Sequence, residues 1–178
     1  AVGRGAGFNA ATSGLTYIGF QAGYNTSTGY DNVAVGVNAL FTNTTGNENV
    51  AIGSYAMTAN TSASYNVAVG MQTLLANTTG AENTAVGYRA LVANTTGTKN
   101  VAMGSSALDE CTTGDFNTAV GTSALTSVTT SDNNTAVGYS AGLEITTGAG
   151  NTAVGTSAMA TNTTGANNVA VGWIALTT

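Results

Sequence analysis

An asparagine opens the same short motif at Asn32, Asn49, Asn66, Asn83, Asn100, Asn117, Asn134, Asn151 and Asn168, always 17 residues apart and without an insertion. The frame extends back through Leu15 to Gly19 with the asparagine replaced, and Ala1 to Gly3 is a further copy displaced by one residue. The unit reads N-[TV]-A-V-G-x-x-A-L-x-x-N-T-T-G-x-x, numbered below as positions 1 to 17. A unit this small cannot bury its own apolar residues, so the copies must stack as coils that contact only their neighbours. The period is shorter than leucine-rich, ankyrin or tetratricopeptide repeats, and glycine and β-branched residues stand where a helix pair needs helix formers. The expected fold is all-β, a parallel β-solenoid of about ten coils with one 17-residue coil per repeat, in a single domain over 1–178. Glycine at positions 5 and 15 places two turns in each coil and predicts a two-sided roll. A three-sided hexapeptide helix would show a six-residue rhythm that is missing here. The chain starts inside one repeat at Ala1 and stops inside another at Thr178 without caps, so it reads as a fragment of a longer array.

Position 4 is apolar in every copy (Ile18, Val35, Ile52, Val69, Val86, Met103, Val120, Val137, Val154, Val171), and position 2 alternates between Val and Thr. By the two-residue period of a strand, both are expected to point into the core. Alanine at position 3 would then point the other way, and a strand apolar on both faces is one covered on both sides. Ala51, Ala68, Ala85, Ala102, Ala119, Ala136 and Ala153 are therefore the expected oligomer face, packed against another copy of the chain. Positions 8 and 9, as in Ala39-Leu40 and Ala90-Leu91, supply the opposite wall. Position 12 runs Asn43, Asn60, Asn77, Asn94, then Cys111, Val128, Ile145, then Asn162, as a buried slot would. Stacked asparagines satisfy one another there, and Cys111 is a core residue rather than a reactive one. The position 12 asparagines are also N-x-[ST] sequons, but glycans on neighbours about 4.8 Å apart would collide. They read as structural, in a protein made where that modification is absent.

Charged residues make up 6% of the chain, and three basic residues (Arg4, Arg89, Lys99) face eight acidic ones, which excludes nucleic acid and anionic membrane surfaces as electrostatic partners. No apolar run is long enough for a transmembrane segment, so no membrane insertion is expected. Histidine is absent and cysteine occurs once, which removes catalytic triads, His/Cys metal sites and an intrachain disulfide. Asp31, Glu48, Glu82, Asp109, Glu110, Asp115, Asp132 and Glu144 nearly all fall beside the turns, where solvated charges belong. No cofactor, metal or catalytic residue is assigned, and no enzyme activity is expected. Among the variable residues at positions 6 and 7, Phe20, Tyr55, Tyr88, Tyr139 and Trp173 stand amid Ser, Thr and Gln as candidates for binding a glycan or a host protein, or for packing between coils or chains.

The segments Asn32 to Gly36 (NVAVG) and Asn49 to Gly53 (NVAIG) resemble the head repeats of trimeric autotransporter adhesins, where a similar pentapeptide recurs at a shorter spacing. The form with Asn-Thr-Thr-Gly, as at Asn77 to Gly80, resembles repeats of phage tail-fibre and cell-surface proteins that carry an endosialidase-type chaperone domain. The resemblance covers nearly the whole chain, with three extra residues between the two glycines of each unit. It implies a left-handed β-roll and three parallel chains about one axis. The expected function is a non-catalytic structural or adhesive segment of an extracellular fibre: a surface adhesin head, a phage tail fibre or a filament, at a cell surface or on a virion. The alternative is an ice-binding solenoid, motivated by the column Thr44, Thr61, Thr78, Thr95, Thr112, Thr129, Thr146, Thr163 and the hydroxyl column beside it. A polysaccharide-cleaving tailspike is disfavoured, because no carboxylates cluster.

Overall fold

Positions 2 to 4 are rich in Val, Ile and Thr, whose branched Cβ favours extended backbone. In each complete repeat this triplet is a strand. The structure, a computed structural model, describes residues 1–177, and Thr178, the last residue of the expected domain, lies outside the described residues. The strands are β1 (Thr16–Ile18), β2 (Val33–Val35), β3 (Val50–Ile52), β4 (Val67–Val69), β5 (Thr84–Val86), β6 (Val101–Met103), β7 (Thr118–Val120), β8 (Thr135–Val137), β9 (Thr152–Val154) and β10 (Val169–Val171). They form one parallel sheet in sequence order, each strand pairing with the next copy in register, as in Ala34 with Ala51. The displaced first copy adds a bridge from Val2 to Ile18. No helix interrupts the described residues. The chain is a parallel β-solenoid, one coil per repeat.

The second wall is built from turns rather than strands. Hydrogen bonds from Ala39 N to Gly36 O and from Asn60 N to Met57 O close successive turns over positions 5 to 8 and 9 to 12. The backbone nevertheless pairs between coils on this side too, for example Leu40 N to Ala56 O (2.9 Å), Thr42 N to Thr58 O (3.1 Å) and Thr44 N to Thr61 O (2.9 Å). Glycine at position 5 holds φ near +135° and abuts the next coil: a Cβ on Gly36 would lie 2.5 Å from Gly53 O. At position 15 the expectation fails, because those glycines are not left-handed. Ala63 and Ser131 stand at the same position, so it does not require glycine. The chain instead bends through left-handed residues at positions 7, 9 and 17, such as Asn38, Leu40 and Glu48, all at φ 53°. Each non-glycine residue there costs about 1–2 kcal/mol, and the inter-coil bonds hold it in place.

The interior is thin. Leucine or methionine at position 9, alanine at positions 3 and 8 and asparagine at positions 1 and 12 are fully buried through most of the stack. This reverses the expected sidedness of the strands. Ala51, Ala68, Ala85, Ala102, Ala119, Ala136 and Ala153 all have 0% exposure inside their own coil and form no oligomer face. Position 4 points outward, with Ile52 at 39% and Met103 at 44% exposure. The cause is the parity of the strand. Asparagine at position 1 turns inward to bond the chain's own carbonyls, and glycine at position 5 abuts the next coil, so position 3 between them faces inward.

Core volume is conserved by paired exchange. At the first complete coil Tyr17 replaces the position 3 alanine, and Gly23 replaces the position 9 leucine. A Cβ on Gly23 would strike the Tyr17 ring. The buried Tyr17 hydroxyl bonds Thr26 Oγ1 at 2.8 Å. At the other end Gly142 takes position 9 and Ile145 takes position 12, with Ile145 Cδ1 3.0 Å from where a Gly142 Cβ would stand. Tyr17→Ala alone is expected to cost about 3–5 kcal/mol by leaving a cavity. Gly23→Leu alone should also destabilise, by overpacking. The Tyr17→Ala/Gly23→Leu double variant is expected to be more stable than either, with a coupling at the upper end of the usual ~0.5–3 kcal/mol, read from denaturation midpoints.

Candidate interaction surfaces

Positions 1, 3 and 5 point inward, so positions 17, 2, 4 and 6 are left on the outer side of the strand wall. Positions 2 and 4 form a stripe of Val, Ile, Met and Thr along all ten strands. At about 4.8 Å per coil the stripe is roughly 50 Å long and on the order of 500 Å² in area. Its flanks carry exposed aromatics, Tyr65 and Phe116 at position 17 and Phe20, Tyr88, Tyr139 and Trp173 at position 6. Lys99 Nζ lies 5.4 Å from the centre of the Phe116 ring. An apolar centre with an aromatic and polar rim is the anatomy of a protein interface. Parallel sheets are covered on both faces, and here only the inner face is covered within the chain.

All five aromatic residues picked out in the sequence are exposed: Phe20, Tyr55, Tyr88, Tyr139 and Trp173. They do not converge. Each is two or three coils from the next, about 10–14 Å along the axis, and Tyr55 leaves the chain at a left-handed position 7 (φ 60°) rather than from position 6. Sequence reasoning missed a tighter group at position 10, where Phe8, Tyr24 and Phe41 stack with ring centres 5.1 and 5.4 Å apart. The signal was available, since aromatics at the same position of three successive copies must stand above one another.

The acidic residues are not gathered, and three of the eight are tied to the scaffold. Asp109 takes a two-pronged bond from Arg89, with Nε to Oδ1 and Nη2 to Oδ2 both 3.1 Å. Asp115 Oδ1 accepts from Thr98 N (2.6 Å) and Thr98 Oγ1 (2.9 Å), and Asp132 Oδ1 accepts from Asp115 N at 2.8 Å. Asp115 and Asp132 thus each cap a backbone N–H of the preceding coil. Among the described residues no three His, Cys, Asp or Glu side chains meet as a metal site would require. The position 13 threonines donate to the carbonyl of the next coil, as from Thr44 Oγ1 to Thr61 O at 2.9 Å.

The position 12 slot behaves as its composition suggests. Asn60 Nδ2 donates to Asn43 Oδ1 (2.8 Å), Asn77 to Asn60 (3.1 Å) and Asn94 to Asn77 (2.8 Å), all buried. The ladder stops at Cys111, whose thiol faces Gly114 O at 3.7 Å, and Asn94 Oδ1 is left without a partner.

Scans against protein-family models, curated proteins and solved structures returned no match. What the fold defines is a class: a repeat protein of the parallel β-solenoid type. No helix among the described residues is long and apolar enough to cross a membrane.

Cys111 offers a direct check on this packing. Burial pushes its thiol up from 9.0 to about 11, outweighing the opposing hydrogen bond to Gly114. The folded state therefore holds the thiol proton more tightly than the unfolded chain. The associated stability is fully present below the unfolded value and is lost as pH rises from about 9 through about 11. A thiol reagent at pH 8 is expected to leave Cys111 unlabelled until denaturant unfolds the coil, and rapid labelling of the native protein would contradict its placement.

Proposed function

We propose that this chain is a non-catalytic structural and adhesive segment of an extracellular fibre, and that it assembles as a parallel homotrimer through the outer face of the strand wall. The observation that carries the reading is the uninterrupted apolar column at position 4, with Val or Thr beside it at position 2 and aromatics on its flanks. Exposed apolar patches beyond a few hundred Å² are rare on a monomer and are covered by a partner. A patch that repeats with the coil along the whole length is best covered by something with the same repeat, and a second and third copy in register supply it. The resemblance to adhesin-head repeats supports three chains rather than two. The proposed localisation is a cell surface or a virion, where a rod with a continuous inter-coil ladder spans distance and presents its sides to a host glycan or protein.

The ice-binding alternative is less well supported. Six of the eight position 13 threonines donate their hydroxyl protons to neighbouring carbonyls, so that column offers water no regular array of donors.

Light scattering is expected to give three times the chain mass of 17.5 kDa. Ile52→Glu with Val137→Glu should lower the mass to one chain while leaving the circular dichroism β-rich, because both side chains project away from the core. A wild-type protein that stays monomeric across micromolar concentrations would overturn the assembly.

A further inference from the structure

We infer that the groove bounded by Arg4, Phe20 and Gln21 on one side and Phe8 and Tyr24 on the other is a binding site for a carboxylated sugar unit of an acidic polysaccharide. The inference deepens the adhesive part of the proposed function and rests on it. The groove crosses the first two coils, beyond the turn that ends the strand wall, and encloses about 310 Å³. That is at the small end of ligand sites, about 300–1,000 Å³, and suits one or two pyranose rings. It exists because Gly5 stands at position 7, where later copies carry Asn38, Tyr55, Gln72 or Arg89. A Cβ on Gly5 would lie 3.3 Å from Gln21 Cγ and from the Tyr24 ring, so any side chain there would begin to fill the space.

The lining matches the chemistry of a sugar acid. Phe20 offers apolar ring surface to the C–H face of a pyranose on one side, and on the other Phe8 and Tyr24, stacked on each other (5.1 Å, 6° between planes) with Tyr24 stacked in turn on Phe41, form a fixed wall of ring edges. The Gln21 amide can donate to or accept from sugar hydroxyls. Nearby, at position 11, Asn9 Nδ2 donates to Asn25 Oδ1 (3.1 Å), continuing the amide-rich surface. Arg4 supplies the charge. Arg89 is paired with Asp109, whereas Arg4 forms no ion pair among the described residues. On a chain of net charge −5, an unpaired guanidinium in an aromatic-lined groove selects an anionic group, and its planar fork matches a carboxylate.

Calorimetric titration of the whole chain with an oligogalacturonate, with neutral maltotetraose and with a sulfated carrageenan tetrasaccharide tests this. The oligogalacturonate is expected to bind more tightly than either of the others. Arg4→Gln should weaken it about tenfold or more. Gly5→Asn, which places at position 7 the residue that Asn38 already provides there, should remove binding without disturbing the coil. Arg89→Gln, which removes the guanidinium already paired with Asp109, should leave it unchanged. Absence of oligogalacturonate binding at millimolar concentration, equal binding of the neutral or sulfated sugar, or indifference to Arg4→Gln would each overturn the assignment. Light scattering on the same sample separates this from the assembly: a trimer that binds no sugar acid overturns the groove alone, and a monomer that binds it supports the groove while overturning the trimer.

Discussion

In four repeats, those opening at Asn32, Asn49, Asn83 and Asn151, the coil is closed by two side-chain amides that meet on one carbonyl. Asn49 Nδ2 and Asn60 Nδ2, from positions 1 and 12 of the same repeat, donate to Ala63 O at 2.9 and 3.1 Å, and Asn32 and Asn43 do the same to Gly46 O. The clasp ties the start of a coil to its end. The remaining atoms of the same asparagines reach along the stack, since Asn32 Oδ1 accepts from Asn49 N and Asn43 Oδ1 from Asn60 Nδ2. Buried amides are costly unless their groups are satisfied, and repetition satisfies them except where the ladder ends at Cys111 and leaves Asn94 Oδ1 unpaired. It also accounts for the narrow core, because walls held this close leave room for one leucine-sized side chain and several alanines.

The outer character of the protein follows from the clasp. With position 1 committed inward, the two-residue period exposes positions 2 and 4, and an apolar stripe results on the side that a lone chain cannot cover. Everything regular in the sequence is therefore either closing a coil or building one long uniform face. The departures from regularity are fewer and more local. Glycines at Gly5, Gly7 and Gly23 and aromatics at Phe8, Tyr17, Tyr24 and Phe41 gather near one end, where the proposed sugar groove lies. On the proposed reading the repeat fold separates these tasks, with assembly written into the consensus and recognition into the exceptions to it.

The exact 17-residue spacing by itself determined the coil, the parallel in-register pairing, the position 9 wall and the buried position 12 slot with Cys111 inside it. These follow from periodicity, because a residue at a fixed offset must lie above its own copy. Which face of the strand is interior was decided only by the tertiary structure. Both parities are apolar, so hydrophobicity cannot choose between Ala51 and Ile52. The choice rests on where the amides of Asn49 and Asn60 find an acceptor and on how closely the two walls then approach. The constancy of alanine was a mark of that tight interior, while the drift between Val, Ile and Met at position 4 marked a surface. The groove was likewise out of reach of the sequence, since Arg4 and Gly5 join Phe8, Phe20, Gln21 and Tyr24 only when a 16-residue first coil stacks on a 17-residue second one.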